Sequence, residues 1–305
     1  MSEKRKGKRE TNFLPQQGNE NKNVMKKLII IVMALGLTGL LPCGAITHRG
    51  LIFGLGRQQD TSWARIHGDN DIHFVRQMLQ TMGYTDIVAL RNEEATKAAM
   101  VDAFRQLAVR CRRGDHVYIH YSGHGQLMTD LDGDEQLKWT SAHSRWDEAW
   151  IPYDAYMTYG PDDRGEKHLG DDEVARLLAA IRNRIGTRGQ LIVVVDACHS
   201  GDATCGPNDT PVRGIDQKFV IPRTGRERQA TATTDEQWLT ISACRPYQLC
   251  QEMGTPEAGK LTYALYQLGA AFFDKSNLRM ELLLQQFMDR HPGRLPQTPM
   301  VSGKK

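Results

Sequence analysis

Two short segments place residues able to do covalent chemistry beside small neighbours. Cys198 lies in DACHSGD (196–202), and His124 lies between two glycines in YSGHG (121–125). A cysteine thiolate attacks carbonyl carbons, and a nearby imidazole lowers the thiol pKa and later protonates the leaving amine. The pair therefore predicts nucleophilic catalysis by a cysteine. Cys198 as a small buried hydrophobe is the alternative. His199 is the rival base, although adjacent strand residues point to opposite faces.

Each segment follows a run that predicts a buried strand. Residues 191–195 are all apolar and lead to Cys198, and the mostly apolar residues 116–122 lead to His124. The carboxyl ends of neighbouring parallel strands meet at one edge of a sheet, where ligands bind. We therefore expect His124 and Cys198 to face one crevice. The backbone N–H groups of Gly123 and Cys198 are the predicted donors to a tetrahedral oxyanion.

The remaining elements predict an α/β fold, because strand-like runs alternate with helical periods along the chain. The strands are predicted at 49–56, 86–90, 116–125, 191–195 and 237–244. The helices are predicted at 69–82, 92–111, 171–186, 260–273 and 278–290. This alternation predicts a mostly parallel sheet with helices on both faces. Residues 126–170 are predicted as long loops or a hairpin insertion, and 203–235 as a loop.

The composition is that of an ordinary globular protein. The chain has 305 residues, of which 40% are hydrophobic and 25% charged, and its net charge of +3 is too small to indicate nucleic-acid binding. Its six cysteines form no CxxC pair and show no zinc-like spacing. They argue against a disulfide framework and leave a single bridge open.

The N-terminal sequence predicts export. Residues 1–24 are polar and basic and are predicted to be a disordered extension. Two lysines then precede an apolar run of about 14 residues and a small-residue end, which is the pattern of a signal peptide over 25–45 that is cleaved after Ala45. The protein is therefore predicted to be periplasmic or secreted. An uncleaved membrane anchor is the alternative, and a lipid anchor at Cys43 is disfavoured by Pro42.

With YSGHG and DACHSGD together, the chain resembles the caspase-like cysteine peptidases, most closely the metacaspases. Other stretches that fit this family are RGLIFGLG at 49–56, GDND at 68–71, DLDGDE at 130–135, DEAWIPYDA at 147–155, and ISAC at 241–244 followed by Gln248 and Glu252. The paired motifs are specific, whereas GDND or DLDGDE alone would be weak. The resemblance covers about residues 48–300. It implies one caspase-like peptidase domain over 46–300, with a mostly parallel sheet of about six or more strands between helices.

By this resemblance His124 and Cys198 form the dyad of an endopeptidase that cleaves after Arg or Lys. The primary specificity pocket then contains Asp71 and Asp196, with Ser122 at its wall. Carboxylates in these places would hold a guanidinium or ammonium through charge-assisted hydrogen bonds and would repel an aspartate. The alternatives are a first-turn helix residue for Asp71 and a strand-end residue that binds loop backbone for Asp196.

The resemblance also implies calcium as an activator, although the chemistry itself requires no cofactor. Carboxylate-rich loops suit this hard cation. The candidate calcium ligands are Asp130, Asp132, Asp134, Asp171 and Asp172. The alternative is a solvated acidic loop followed by an acidic helix N-terminus.

The loop at 203–235 corresponds to the linker between the two halves of a caspase-like unit. Its basic residues include Arg213, Lys218, Arg223, Arg226 and Arg228. Exposed loops are preferred sites of proteolysis, so a peptidase specific for basic residues could cut itself there. We therefore predict autoprocessing within 203–235, with a plain solvated loop as the alternative.

Two other functions compete with this prediction. A clostripain- or gingipain-like arginine peptidase also pairs a strand-end His with a strand-end Cys, and a non-catalytic caspase-like module would only bind partners. The ISAC and DGDE stretches favour the metacaspase branch, and an intact dyad beside an acidic pocket argues against a binding module. The predicted partners are protein or peptide substrates with Arg or Lys before the cleaved bond. We expect no nucleic-acid partner, no membrane contact beyond an uncleaved signal or lipid anchor, and a monomer.

Overall fold

The structure is a computed structural model, and it describes residues 45–131, 146–198, 212–222, 237–246 and 248–304. The predicted extension at 1–24 and all but the last residue of the predicted signal peptide lie outside this part of the chain. The calcium candidates Asp132 and Asp134 lie outside it too. Every helix within the described ranges is too short or too polar to span a bilayer.

The described residues form a central sheet, two smaller sheets and flanking helices. The strands are β1 His48–Gly54, β2 Asp86–Arg91, β3 His116–Ser122, β4 Gly125–Thr129, β5 Trp146–Trp150, β6 Leu169–Gly170, β7 Gln190–Asp196, β8 Leu239–Ser242, β9 Glu252–Met253, β10 Ala258–Gly259 and β11 Met300–Gly303. The helices are α1 Gly68–Thr81, α2 Lys97–Arg110, α3 Asp171–Ile185, α4 Lys260–Leu268, α5 Ala270–Phe273 and α6 Asn277–Arg290.

The central sheet has six strands in the order β11-β8-β7-β3-β1-β2. Five of them run parallel, and β11 pairs antiparallel with β8 at one edge. The predicted α/β fold with a mostly parallel sheet is therefore confirmed. In the register of the two middle strands, Ser122 at the end of β3 lies opposite Asp196 at the end of β7.

Helices cover both faces of this sheet, because successive strand residues point to opposite sides. In β7, Ile192 packs into the layer that includes Leu284 of α6. Its neighbour Val193 packs into the other layer, with Phe104 of α2. A strand buried on both faces has to be apolar at each position, which explains the uninterrupted run at 191–195.

The predicted helix at 92–111 begins later than expected. Residues Asn92–Glu94 form a short 3-10 helix instead, and the α-helix starts at Lys97. The side chain of Thr96 accepts a hydrogen bond of 3.3 Å from the N–H of Ala99. This N-cap satisfies a donor that the first turn leaves open, which fixes the start of α2.

The region 126–170, predicted as loops or a hairpin insertion, contributes to a small antiparallel sheet of β4, β5 and β6. β4 begins at Gly125, so the predicted strand at 116–125 is interrupted at Gly123 and His124. These two residues form the corner between the central sheet and the small sheet. That corner holds His124 at the carboxyl edge of β3.

Candidate active site

His124 and Cys198 follow neighbouring parallel strands, as the sequence predicts. Ser122 and Asp196 are paired across β3 and β7, and each chemistry-bearing residue comes two positions later. Both side chains are buried, with His124 2% exposed and Cys198 1% exposed. The register therefore brings the predicted base and nucleophile to the same edge of the sheet.

One backbone contact orients the imidazole of His124. Its Nε2 lies 2.7 Å from the carbonyl oxygen of Ala64, and its ring packs on Trp63 with centroids 5.1 Å apart. A carbonyl only accepts, so Nε2 carries the proton and Nδ1 keeps its lone pair. Among the described residues, Nδ1 has no hydrogen-bond partner. Burial lowers the pKa of His124 to about 4, so the imidazole is neutral and Nδ1 carries no proton at neutral pH.

A basic side chain from the linker fills an acidic pocket beside this pair. The buried guanidinium of Arg213 lies 2.8 Å from Asp71 Oδ2, 2.8 Å from Glu252 Oε1 and 3.6 Å from Asp196 Oδ2. It also donates a hydrogen bond to the hydroxyl of Ser122. The structure thus brings the three predicted pocket residues together around one cation and adds Glu252 to them.

Backbone and hydroxyl donors hold two of the carboxylates. Asp71, in the first turn of α1, accepts from the N–H of Gly259 at 3.0 Å and from the hydroxyl of Ser122. Asp196 accepts from the N–H and the hydroxyl of Thr262, at 2.8 and 2.7 Å, in the first turn of α4. The positive end of a helix dipole therefore lies near each acid.

The charges of the pocket and of Arg213 depend on each other. Burial alone would lower the pKa of Arg213, but the carboxylates of Asp196, Asp71 and Glu252 outweigh it and raise that pKa. Burial raises the pKa of Asp71 to about 6, because the cost of a buried negative charge exceeds the attraction of the guanidinium. The pocket is therefore suited to a cation that stays charged when it is desolvated.

The backbone of Arg213 lies along the site like a bound peptide strand. Its N–H donates to the carbonyl oxygen of Cys250 at 2.9 Å, and the residue before it pairs antiparallel with Gln251. Its carbonyl oxygen accepts from the N–H of Cys198 at 2.7 Å and from the N–H of Gly125 at 3.4 Å. Pairing of an extended segment through main-chain hydrogen bonds is a common mode of peptide recognition.

The next residue, Gly214, packs directly on Cys198. A Cβ atom at Gly214 would lie 2.9 Å from the Cβ of Cys198 and would overlap its carbonyl oxygen. The Arg213–Gly214 peptide bond is therefore placed next to Cys198. The close approach also explains why a residue without a side chain suits this position.

The structure places the predicted oxyanion donor Gly123 differently. Its N–H donates to the carbonyl oxygen of Asp196 at 3.4 Å, which continues the β3–β7 ladder, and not to the carbonyl of Arg213. Cys198 supplies the short contact to that carbonyl and Gly125 the long one. A role for Gly123 stays a prediction, and it requires its N–H to exchange this weak hydrogen bond for one to the oxyanion.

The described calcium candidates do not form a shared ligand set. Asp130 is buried after β4, whereas Asp171 and Asp172 are half-buried at the start of α3. Within the described part of the chain, one group of three acidic, His or Cys side chains is close enough to share an ion, and it consists of Cys198, Cys244 and Cys250. Sulfur ligands do not suit calcium. Calcium binding therefore stays a prediction.

A disulfide joins Cys244 and Cys250, whose Cα atoms are 5.9 Å apart. This is the single bridge that the cysteine count left open. It closes the loop between β8 and β9, and the carbonyl oxygen of Cys250 within it holds the N–H of Arg213. The disulfide therefore belongs to the wall of the candidate site.

Solved structures with the same fold support the architecture. The protein GSU0716 from Geobacter sulfurreducens superposes with a TM-score of 0.56 at 20% identity, covering 85% of this chain and 94% of that protein. Caspase-1 from Spodoptera frugiperda superposes with a TM-score of 0.55 at 12% identity, covering 85% of this chain and 89% of the caspase. At such identities the likeness concerns the fold alone, which is caspase-like.

Sequence relatives indicate the branch of caspase-like proteins that this chain resembles. Residues 62–205 match the family described as metacaspase, peptidase C14 domain, a stretch that contains Asp71, His124 and Cys198. The chain is therefore similar to the metacaspase-type, caspase-like peptidases. It is 26% identical over 281 residues to Metacaspase-1 of Cryptococcus neoformans, and 32% identical over 155 residues to Metacaspase-1A of Aspergillus fumigatus. These matches cover 76% and 48% of this chain, but 57% and 33% of the relatives, so the chain spans about half or less of their length.

Three contacts of this candidate site were not predicted. Glu252 is a third pocket carboxylate, and the only sequence feature that pointed to it was its position after the ISAC stretch. The carbonyl of Ala64 leaves no signal, because any residue could supply it. Arg213 was one of several basic residues in the linker, and nothing local distinguished it except the glycine that follows.

Proposed function

We propose that the chain is a cysteine endopeptidase that cleaves peptide bonds after Arg or Lys through His124 and Cys198. The observation that carries this proposal is the placement of Arg213. Its side chain fills the acidic pocket while its carbonyl oxygen accepts from the Cys198 N–H at 2.7 Å. The linker occupies the site as a substrate would, and we include autoprocessing at the Arg213–Gly214 bond in the proposal.

The chemistry follows from these positions. Nδ1 of His124 takes the proton of Cys198, and the thiolate attacks the carbonyl carbon of the residue that occupies the pocket. The N–H of Cys198 stabilises the oxyanion, with Gly123 as the predicted second donor. When the tetrahedral species collapses, the C–N bond breaks and the imidazolium protonates the leaving amine. A water deprotonated by His124 then hydrolyses the thioester, which releases a carboxylic acid and restores the thiol.

The pocket favours Arg over Lys, and either of them over Asp. Nε and Nη2 of Arg213 both donate to Glu252 Oε1, at 3.0 and 2.8 Å, and Nη1 reaches Ser122. A lysine ammonium is a point charge and cannot reproduce this planar set of contacts. An aspartate would add a further buried negative charge to three carboxylates. We therefore expect cleavage after Arg to be fastest.

The autoprocessing rate should fall in mildly acidic solution. Above the pKa of Asp71, which is about 6 with Arg213 in the pocket, the carboxylate is ionised and binds the guanidinium. Below it the acid is neutral, so the rate is lost as the pH falls. His124 does not limit the rate there, because its pKa is about 4.

Measuring first-order self-cleavage from pH 4.5 to 8 tests this pH dependence. The Asp71→Asn protein should be slower, without the fall near pH 6; a flat wild-type profile down to pH 4.5 contradicts the assignment.

A methyl group at Gly259 should weaken binding of the substrate cation. A Cβ there would lie 2.6 Å from Cζ of Arg213 and would collide with the carboxylate of Asp196. Overpacking costs about 1–3 kcal/mol, so kcat/KM for an Arg-terminated fluorogenic peptide should fall about 5- to 150-fold in Gly259→Ala. Gly254→Ala is the matched control, since a Cβ at Gly254 meets nothing within 4 Å. Equal values for the two variants would show that Gly259 does not line the pocket.

Calcium stimulation remains part of the proposal, with Asp130, Asp132, Asp134, Asp171 and Asp172 as the candidate ligands. The described carboxylates do not converge on one point, so no step of the chemistry is assigned to the ion. Isothermal titration of the purified protein with calcium, together with peptide cleavage measured in its presence and absence, tests this part. No heat and no change in rate would remove calcium without affecting the assignment of the dyad.

Export through the signal at 25–45 is the proposed localisation, and protein or peptide chains with an accessible Arg or Lys are the proposed substrates. Mass spectrometry of the secreted or periplasmic form tests the first point, because cleavage after Ala45 leaves a chain that begins at Ile46. Light scattering tests the expected monomer. If the protein is found in the membrane fraction and still contains residues 25–45, the segment is a membrane anchor and not a cleaved export signal.

Hydrolysis of matched fluorogenic peptides tests the function as a whole. We expect release of the fluorophore after Arg and, more slowly, after Lys, and none after Asp. A non-catalytic binding module would release none from any of the three. Cleavage after Asp at a comparable rate would contradict the role of the acidic pocket.

A further inference from the structure

Two sulfur atoms outside the dyad lie beside the nucleophile. Cys244 and Cys250 form a disulfide, and the Sγ atoms of these residues and of Cys198 all lie within 4.8 Å of one another. The three residues are buried, with exposures of 8%, 0% and 1%. A catalytic thiol packed against a disulfide has a second reaction open to it besides attack on a peptide.

The contacts hold the three sulfurs in one cluster. The thiol of Cys198 donates to the carbonyl oxygen of Gln248 at 2.6 Å, and the sulfur of Cys244 lies 3.2 Å from the same oxygen. The sulfur of Cys250 lies 3.1 Å from the carbonyl oxygen of Ala197, the residue before the nucleophile. The loop closed by the disulfide therefore lies against Cys198 and the residue before it.

We propose that Cys198 exchanges with the Cys244–Cys250 disulfide and that this exchange reversibly silences the enzyme. The Cys198 thiolate attacks one sulfur of the pair, the S–S bond between Cys244 and Cys250 breaks, and a new S–S bond to Cys198 forms. The displaced cysteine leaves as a thiolate and takes up the proton that Cys198 gave to His124. One disulfide replaces another, so no external oxidant or reductant is consumed.

The exchange would affect both substrate binding and chemistry. A bond to Cys198 removes the thiol that the proposed peptide cleavage needs. The carbonyl oxygen of Cys250 accepts a hydrogen bond from the N–H of Arg213 at 2.9 Å. A different disulfide at Cys250 would therefore also change how the backbone of the residue in the pocket is held. Addition of a dithiol reductant reduces either disulfide and returns Cys198 to its active form.

Peptide mapping of the wild-type full chain tests the inference directly. Protein purified without reductant is held at neutral pH, quenched in acid to stop exchange, alkylated and digested under non-reducing conditions. We expect two populations, one with Cys244 joined to Cys250 and one with Cys198 joined to either of them. Finding Cys198 only as the alkylated thiol, with the native pair intact throughout, would overturn the inference.

A Cys244→Ser/Cys250→Ser variant provides the matched functional comparison. We expect the peptidase activity of the wild type to rise several-fold on addition of reductant and that of the variant to be independent of it. An equal rise in both would mean that Cys198 is oxidised by something other than this disulfide and would contradict the exchange. If the variant does not fold, the wild-type mapping decides alone. The inference rests on the proposed function only because it needs a reactive Cys198. A fully reduced chain without peptidase activity would refute the proposed function. The peptide mapping would still decide whether the disulfide exchange takes place.

Discussion

Replacing Cys198 by Ala is expected to abolish both self-cleavage and the hydrolysis of added peptides. The side chain is the only group of the proposed mechanism that forms a covalent bond to the substrate. Removing the nucleophile of a catalytic set costs on the order of 10³-fold or more in kcat. Intact mass of the full chain over time and initial rates on an Arg-terminated fluorogenic peptide measure the two losses. The fold should persist, because Ala removes only one buried sulfur atom.

Cys111→Ala is the matched control for this substitution. Cys111 is also buried, but it lies after α2 in the opposite layer, and burial raises its pKa to about 11. It therefore stays a thiol at neutral pH and packs as a small hydrophobe. Activity should be retained in Cys111→Ala. A Cys198→Ala protein that still processes itself, beside an equally active Cys111→Ala protein, would rule out Cys198 as the nucleophile.

Replacing Arg213 by Ala is expected to stop self-cleavage while leaving cleavage of added peptides intact. Without the guanidinium, the described part of the linker, 212–222, offers no other cation in the acidic pocket. Truncating one partner of a buried, hydrogen-bonded charge pair costs about 2–5 kcal/mol, which corresponds to about 30- to 5000-fold in rate. An added Arg peptide supplies its own cation. The kcat/KM of the Arg213→Ala protein for this peptide should therefore equal or exceed that of the wild type. Time courses of intact mass and of peptide hydrolysis separate the two effects.

Two further substitutions serve as controls for Arg213→Ala. Arg213→Lys keeps a cation and should restore part of the self-cleavage, since Lys lacks only the planar contacts. Lys218→Ala removes the other basic residue of the described linker, whose ammonium lies 5.2 Å from the ring centroid of Trp146 and outside the pocket. Lys218→Ala should leave the rate unchanged. If Lys218→Ala blocks processing and Arg213→Ala does not, Arg213 is not the residue before the cleaved bond.

The dyad could be predicted from the sequence because its position depends on local patterns. Apolar runs mark the buried strands, and the parallel arrangement expected from alternating helices and strands brings their carboxyl ends together. The two aspartates of the pocket also lie next to such ends. Asp196 closes β7, and Asp71 lies in the first turn of the helix after β1.

The rest of the site depends on where loops return, which local patterns do not specify. Glu252 contacts Arg213 across 39 residues of chain and His67 across 185 residues. The Cys244–Cys250 bridge depends on a turn between β8 and β9 that has no periodicity. Helix and strand ends were less predictable as well, because one hydrogen bond, such as that of Thr96, decides where α2 begins.

The site of self-cleavage tests the central claim most directly. Purified full-length protein is incubated at neutral pH with reductant, and the products are identified by intact mass and N-terminal sequencing. We expect one fragment that ends at Arg213 and one that begins Gly-Ile-Asp-Gln from Gly214, formed with first-order kinetics independent of protein concentration because Arg213 already lies in its own pocket. A first cut after another basic residue of 203–235, or a rate proportional to protein concentration, would contradict the claim that the chain holds its own linker as the first substrate.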